Sequence, residues 1–231
     1  VSSAASDVYK RQIKLSGSLF TFDKDYSQVK KITKTLDEIS RNGYKVVAVT
    51  GGGKTARNMQ NAARNFHADE AFLDQLGIDV SRIHAKILTT CTTNSCQDVP
   101  KTLDEVVRCL TSSKIVFTGG LSPGQSTNAT AALIAERTKA KLFVNATDVD
   151  GVFTSDPRKN KNAKLIKSIT TKNLLDKVVA DKMSAGTYDL MDLLSLKIIE
   201  RSKIPTAVIK CDSRQIKSVI SGKSTGTKIT S

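Results

Sequence analysis

The sequence has no tryptophan, two histidines, four prolines and only 5% aromatic residues. So few rings offer little surface on which bases of a single-stranded nucleic acid could stack. No apolar run approaches the ~18 residues that a membrane-spanning helix requires. The four cysteines, Cys91, Cys96, Cys109 and Cys211, follow no metal-ligand spacing, and two histidines cannot complete such a set. A zinc site, a disulfide scaffold and a membrane protein are set aside, and free thiols in a reducing cytoplasm are expected. Two phosphate-binding fingerprints are also missing: G-x-x-x-x-G-K-[ST] does not occur, and no G-x-G-x-x-G follows a strand-like run. P-loop hydrolysis and hydride transfer lose their support with them.

What is present is enough chain for a core and a large positive charge. A length of 231 residues suits one α/β domain or two small ones. Thirty-six Lys and Arg against 22 Asp and Glu leave +14. This excess favours an anionic partner without choosing between nucleic acid, nucleotide and membrane surface. Val1–Gln12 (VSSAASDVYKRQ) has no initiator Met, no apolar segment of a secretory signal and no periodicity. It reads as a translated scar ahead of a single domain spanning 13–231.

Within that domain, short apolar runs alternate with helical patterns. Ile13–Leu15, Tyr44–Thr50, Lys114–Thr118, Lys141–Asn145, Pro205–Lys210 and Thr227–Thr230 read as strands. Helices are expected over Ser27–Asn42, Lys54–Phe66, about Asp69–Leu88, Thr102–Leu110, Thr127–Thr138, Lys172–Ala180 and Tyr188–Ser202. Residues 151–168 read as a basic loop interrupted by Pro157. The alternation implies a three-layer α/β/α sandwich around a mostly parallel sheet.

Glycines fall where the chemistry of such a sheet is placed. Three strands run into glycine turns, at Gly17, Gly51–Gly53 and Gly119–Gly120, each followed by helical or turn-like sequence. Ligands of an open parallel sheet bind beyond the carboxyl ends of its strands. Glycine there lets backbone N–H groups close on an anion, and the next helix presents its positive end. A single glycine turn is more often a steric necessity; three on one edge suggest a long polyanion or two phosphorylated ligands end to end. Lys14, Lys54 and Arg57 accompany the turns; Lys54 reads as a surface charge, while Arg57 lies about one helical turn in, facing back to the loop.

The segments IKLSGS (13–18), GGGKTAR (51–57), GGLSPGQSTNATAA (119–132) and TDVDGVFTSDP (147–157) together resemble the amino-acid-kinase superfamily, most closely its uridylate kinases of archaeal type. The resemblance keeps its order from Ile13 to Lys228. It implies an α/β/α sandwich of about eight strands, assembled as a homo-hexamer in the cytoplasm, that transfers a phosphoryl group from ATP to UMP with Mg²⁺ in pyrimidine nucleotide synthesis. Nucleic acid and membrane are not expected partners, and no side chain is assigned as a metal ligand. Carried over by position, Gly17, Ser18, Gly53 and Arg57 would handle ATP phosphates, and Thr147, Asp148, Phe153 and Asp156 the adenosine side. UMP would be held by Gly52, Asp74 and the loop Leu121, Ser122, Pro123, Gly124, Gln125, Ser126 and Thr127. Asp74, itself an anion, suits ribose hydroxyls rather than phosphate. Lys14, one step before the first glycine turn, is the catalytic candidate, a cation to neutralise the transferring group.

One position departs from the pattern. Many relatives carry Asp after the equivalent of Thr127, and this chain has Asn128, an amide that hydrogen-bonds without adding charge. Isopentenyl phosphate kinases, the nearest rival, typically show a histidine shortly after the glycine triplet, where this chain has Lys54-Thr55-Ala56-Arg57. A non-catalytic nucleotide sensor and a basic nucleic-acid-binding module are the readings from other classes.

Overall fold

The computed structural model describes residues 9–21, 26–183 and 190–230, with backbone alone at 180–183. In chain order the elements are β1 (Lys10–Leu15), α1 (Ser27–Arg41), β2 (Lys45–Thr50), α2 (Gly53–Asn65), α3 (Glu70–Thr89), α4 (Leu103–Ser112) and β3 (Ile115–Thr118). The second half of the chain adds α5 (Thr127–Arg137), β4 (Leu142–Thr147), β5 (Ser168–Thr170), α6 (Thr171–Met183), α7 (Leu193–Ser202), β6 (Thr206–Lys210), α8 (Ser213–Ile220) and β7 (Thr227–Thr230). One sheet contains all seven strands in the order β3-β2-β1-β4-β6-β7-β5. Every pair is parallel except β6–β7.

Side-chain alternation sends each strand's residues to two cores. Val47, Val49, Val116, Phe143 and Val208 pack under α4, α5, α6 and α7. Val46, Ala48, Phe117, Val144 and Ile209 pack with Ile13 and Leu15 under α1, α3 and α8. The three-layer sandwich expected from the alternation is what forms, with seven strands among the described residues rather than about eight. No described helix is long and apolar enough to cross a membrane.

Several boundaries differ from expectation for local reasons. β1 starts at Lys10, so Lys10, Arg11 and Gln12, set aside with the N-terminal segment, pair with Lys45, Val46 and Val47. A backbone ladder is indifferent to side-chain pattern, and the Arg11 guanidinium lies 4.7 Å from the Tyr44 ring centroid. Residues 1–8 of that segment lie outside the described residues. The last long helix begins at Leu193, not Tyr188, because the Asp192 carboxylate accepts the Ser195 N–H at 2.9 Å and caps it there. Tyr188 itself lies outside the described residues. β5 has three residues and α8 eight, too short to announce themselves by periodicity.

Small residues set the position of α5. Its buried face includes Ala129, Ala131, Ala132 and Ala135, so the helix lies close over β1, β2 and β4. Its N-terminus, capped by Ser126, thereby reaches the carboxyl ends of the central strands.

Candidate active site

Successive strands β1, β2 and β3 run outward one way, and β4 lies on the opposite side of β1. The crevice at this reversal, beyond the carboxyl ends, is where an open α/β sheet holds its ligand. Two of the three glycine turns meet here: Gly17 and Gly53 approach so closely that a Cβ on either would collide with the other's backbone. Gly53 takes φ +61, a value L side chains rarely adopt. The third turn behaves differently. Gly119 and Gly120 lie against α3, where a Cβ would strike Ser81 and Ile78. The Gly120 N–H is already bound by Ser81 Oγ at 2.8 Å. Here glycine answers a steric need, and that N–H is not free for an anion.

Lys14 projects from β1 on the face covered by α5 and α7, alternating with Ile13 and Leu15 on the other face. Its register neighbour on β4 is Asn145. Burial pulls the Lys14 ammonium below its ordinary value, against the opposing fields of Cys211, Asp148 and Asp192. The Cys211 thiol beside it is pushed up by burial to about 11 and stays protonated. A cation held among acceptors in a poorly hydrated crevice acts strongly on any charge that develops nearby.

A cleft of about 220 Å³ opens beside these turns, between α2, α3 and the loop before α5. It is lined by Gly52, Gly53, Ala56, Arg57, Gln60, Asp74, Gly77, Ile78, Gln125 and Thr127. Four residues expected at the UMP end thus come together, with Arg57 and Gly53 from the expected ATP set in the same wall. Asp74 accepts the Gly124 N–H at 2.7 Å and so pins the loop, whose turn relies on the positive φ of Gly124. Of the other loop residues, the Leu121 carbonyl accepts from Arg82, Ser122 and Pro123 face solvent, and Ser126 caps α5.

Across the crevice, the segment after β4 gathers the residues expected at the adenosine side. The Thr147 hydroxyl donates to Asp148 Oδ1 and accepts the Val149 N–H. Arg158 bridges two of the carboxylates, donating to Asp148 Oδ2 at 3.1 Å and to Asp156 at 3.0 and 3.2 Å. The bonds from Arg158 hold the Asp156 carboxyl below the usual range. Phe153, half-buried, forms an antiparallel bridge with Leu165. Ser18 is exposed in the turn after Ser16, whose hydroxyl accepts its N–H.

Three supporting residues, and the bridging part played by Arg158 of the basic segment, escaped the sequence reading. His84 Nδ1 donates to the Gly51 carbonyl at 2.8 Å, and its ring stacks on Phe20 at 4.2 Å. Ser81 binds the Gly120 N–H, Arg82 binds the Gly120 and Leu121 carbonyls, and Arg158 ties Asp148 to Asp156. The available signal for the first three was polar residues within the apolar periodicity of α3, Ile78, Val80, Ala85 and Leu88.

Two glycine turns that meet at one point, a half-buried lysine on the strand leading into the first of them and a cleft beside them mark a phosphotransferase of the α/β/α type. The amino acid kinase family profile matches residues 13–210, and the chain belongs to this family. Within it, the similar proteins are uridylate kinases. That of Sulfurisphaera tokodaii is 40% identical over 224 residues, 95% of this chain and 98% of the relative. That of Hyperthermus butylicus is 39% identical over 220 residues, 94% and 96% of the two chains. The crystal structure of uridylate kinase from Archaeoglobus fulgidus matches with a TM-score of 0.86 at 34% identity, over 96% of this chain and 99% of that one.

Proposed function

We propose that this protein transfers the γ-phosphoryl group of ATP to UMP, giving ADP and UDP. The observation that carries the reading is the cleft shared by Gly52, Asp74, Arg57, Gln125 and Thr127, adjoining the Gly17–Gly53 contact. Phosphoryl transfer is achieved by positioning and charge neutralisation more than by covalent chemistry of the protein. Asp74 and the loop it pins suit the ribose and base of UMP, with Arg57 available to its phosphate. Gly17, Ser18 and Gly53 offer backbone N–H groups to the ATP phosphates, and the Thr147–Asp156 segment takes the nucleoside. Lys14, between the two ends, neutralises charge on the moving group, and the α5–α7 layer shields it from water.

Mg²⁺ is expected to accompany ATP, where it would offset the negative charge of the phosphates. Among the described residues no group of three or more His, Cys, Asp or Glu is arranged to hold a metal ion. The reading places the protein in the cytoplasm, in pyrimidine nucleotide synthesis, as a homo-hexamer. Large apolar side chains exposed on one pair of helices and the turn between them, Met59, Phe66, Phe72 and Ile83, support an assembly of copies.

A coupled ADP-release assay with UMP, CMP, AMP, GMP and isopentenyl phosphate tests the reading. UMP should be preferred by a wide margin. Equal turnover of AMP or CMP, or turnover of isopentenyl phosphate alone, would overturn it.

A further inference from the structure

Two of the four cysteines meet at the outer edge of the sheet and take no part in the site. Cys96 lies in the connection between α3 and α4, Cys109 lies in α4, and their sulfurs are 2.6 Å apart. Main-chain bonds hold Cys96 in place. Its N–H donates to the Ile115 carbonyl at 2.8 Å, and the Ile115 N–H donates to the Asn94 carbonyl at 3.3 Å. Ser95 thereby bridges Ile115 and covers part of the edge that β3, the outermost strand, would leave open. Cys109 is fixed by α4, whose Val106 and Leu110 are buried in the core. The two thiols thus meet without any movement of the main chain. Both are partly exposed, in a cleft of about 530 Å³ that Lys101 and Arg108 also line.

We propose that Cys96 and Cys109 are a reversible modification site, closed to a disulfide by a small disulfide that carries carboxylates, and that the closed pair clamps the Ser95 cover onto β3. The pair is independent of the phosphoryl transfer proposed above. The Cys96 thiolate attacks one sulfur of the small disulfide, and the other sulfur leaves and takes up a proton. The Cys109 thiolate then attacks Cys96 Sγ, forming the protein disulfide and releasing the second half as a thiol. Two protein thiols lose two electrons and two protons, and one small disulfide becomes two thiols. Burial pushes the Cys109 thiol up to about 12, and the hydrogen bond with Cys96 adds to the rise, so Cys96 attacks first. That second cause ends once Cys96 is joined to the incoming sulfur. Lys101 and Arg108 form no ion pair among the described residues, which leaves their charges to the carboxylates of the reagent. Cys91 is placed differently, its thiol donating to the Ile87 carbonyl at 3.6 Å.

Reduced protein treated with oxidised glutathione, alkylated with iodoacetamide and cut with trypsin gives the direct readout. Residues 87–101 and 109–114 should appear as one linked peptide, with fragmentation placing the bond between Cys96 and Cys109. Cys91→Ser should form the same link, and Cys109→Ser should stop with glutathione on Cys96. A closed ring between cysteines 13 positions apart restricts the unfolded chain, so the oxidised parent should melt at least about 5 °C above the reduced one. Dithiothreitol should reverse both changes, and Cys96→Ser should lose them. A parent in which both cysteines stay alkylated, or in which Cys96 keeps glutathione beside a free Cys109, would overturn the proposal. So would a link formed through Cys91, or a bridged form that melts no higher than the reduced one. Glutathione absent from Cys96 in Cys109→Ser would overturn the order of attack. Peptide map and melting are both read on the parent, so they decide the matter even where a serine variant fails to fold. A parent inactive on UMP would overturn the phosphotransferase reading and leave the disulfide untouched.

Discussion

Gly17 and Gly53 touch backbone to backbone: a Cβ built on either falls less than 3.0 Å from main-chain atoms of the other. They follow adjacent parallel strands, so their contact draws the turns after β1 and β2 onto one point. Each lost side chain is thus exchanged for a close approach of two turns, where the proposed reading puts the ATP phosphates.

Gly53→Ala combines that collision with a disfavoured φ of +61. Overpacking of this kind costs about 1–3 kcal/mol, so calorimetry should show a melting temperature lower by several degrees. Activity should drop at least about tenfold, since a displacement of about 1 Å at a reacting centre can cost far more. A variant with parental melting and turnover would show that the contact has slack.

Lys14→Met should lower kcat by roughly 10²–10³, the scale for losing one preorganised donor, with KM for UMP little changed. Lys14→Arg should rescue only in part, because a planar fork does not replace a compact ammonium. A raised KM for ATP at constant kcat would instead make the residue a uniform binder.

Arg158→Ala removes the bridge between Asp148 and Asp156. The guanidinium is about half exposed, so solvent screening limits its worth. KM for ATP should rise about three- to tenfold, with KM for UMP unmoved. Steady-state kinetics with ATP varied at saturating UMP would detect this; an unchanged KM for ATP would reduce the bridge to a surface ion pair.

His84 should impose an acid limit on stability. Burial lowers its pKa below 6.5, opposed by the bond to Gly51. Between that lowered value and 6.5 the unfolded chain binds more protons than the folded one, so stability rises with pH there. The contribution is complete above 6.5 and lost as pH falls through the folded value. Melting temperatures measured between about pH 8 and pH 5 should show this fall, and His84→Gln should flatten it. An identical acid profile in the variant would place the limit elsewhere.

Most of the framework was legible because its signals are local. Apolar residues at helical spacing mark α1, and Asp69 and Thr102 cap α3 and α4 through bonds three residues on. The glycine turns at 17 and 51–53 announce the ends of β1 and β2 and, as the structure shows, the close backbone approach that needs the absence of a side chain. The same logic overreached at Gly119–Gly120, where a packed helix and a phosphate make the same demand for the absence of a side chain.

What the sequence alone determined, then, was the class of the fold, the sheet edge at which the glycine turns gather and the residues whose identity is set by backbone geometry. Only the tertiary structure decided which partners the charged groups meet: Asp74 the N–H of Gly124, 50 residues away, and Asp192 the hydroxyl of Ser126, 66 away. It likewise turned Arg158 back onto Asp148 and set His84 under Gly51. Periodicity and capping act within a few residues along the chain, and leave their trace there. Electrostatic contacts depend on distance through space, which sheet order and helix packing set and no local pattern encodes.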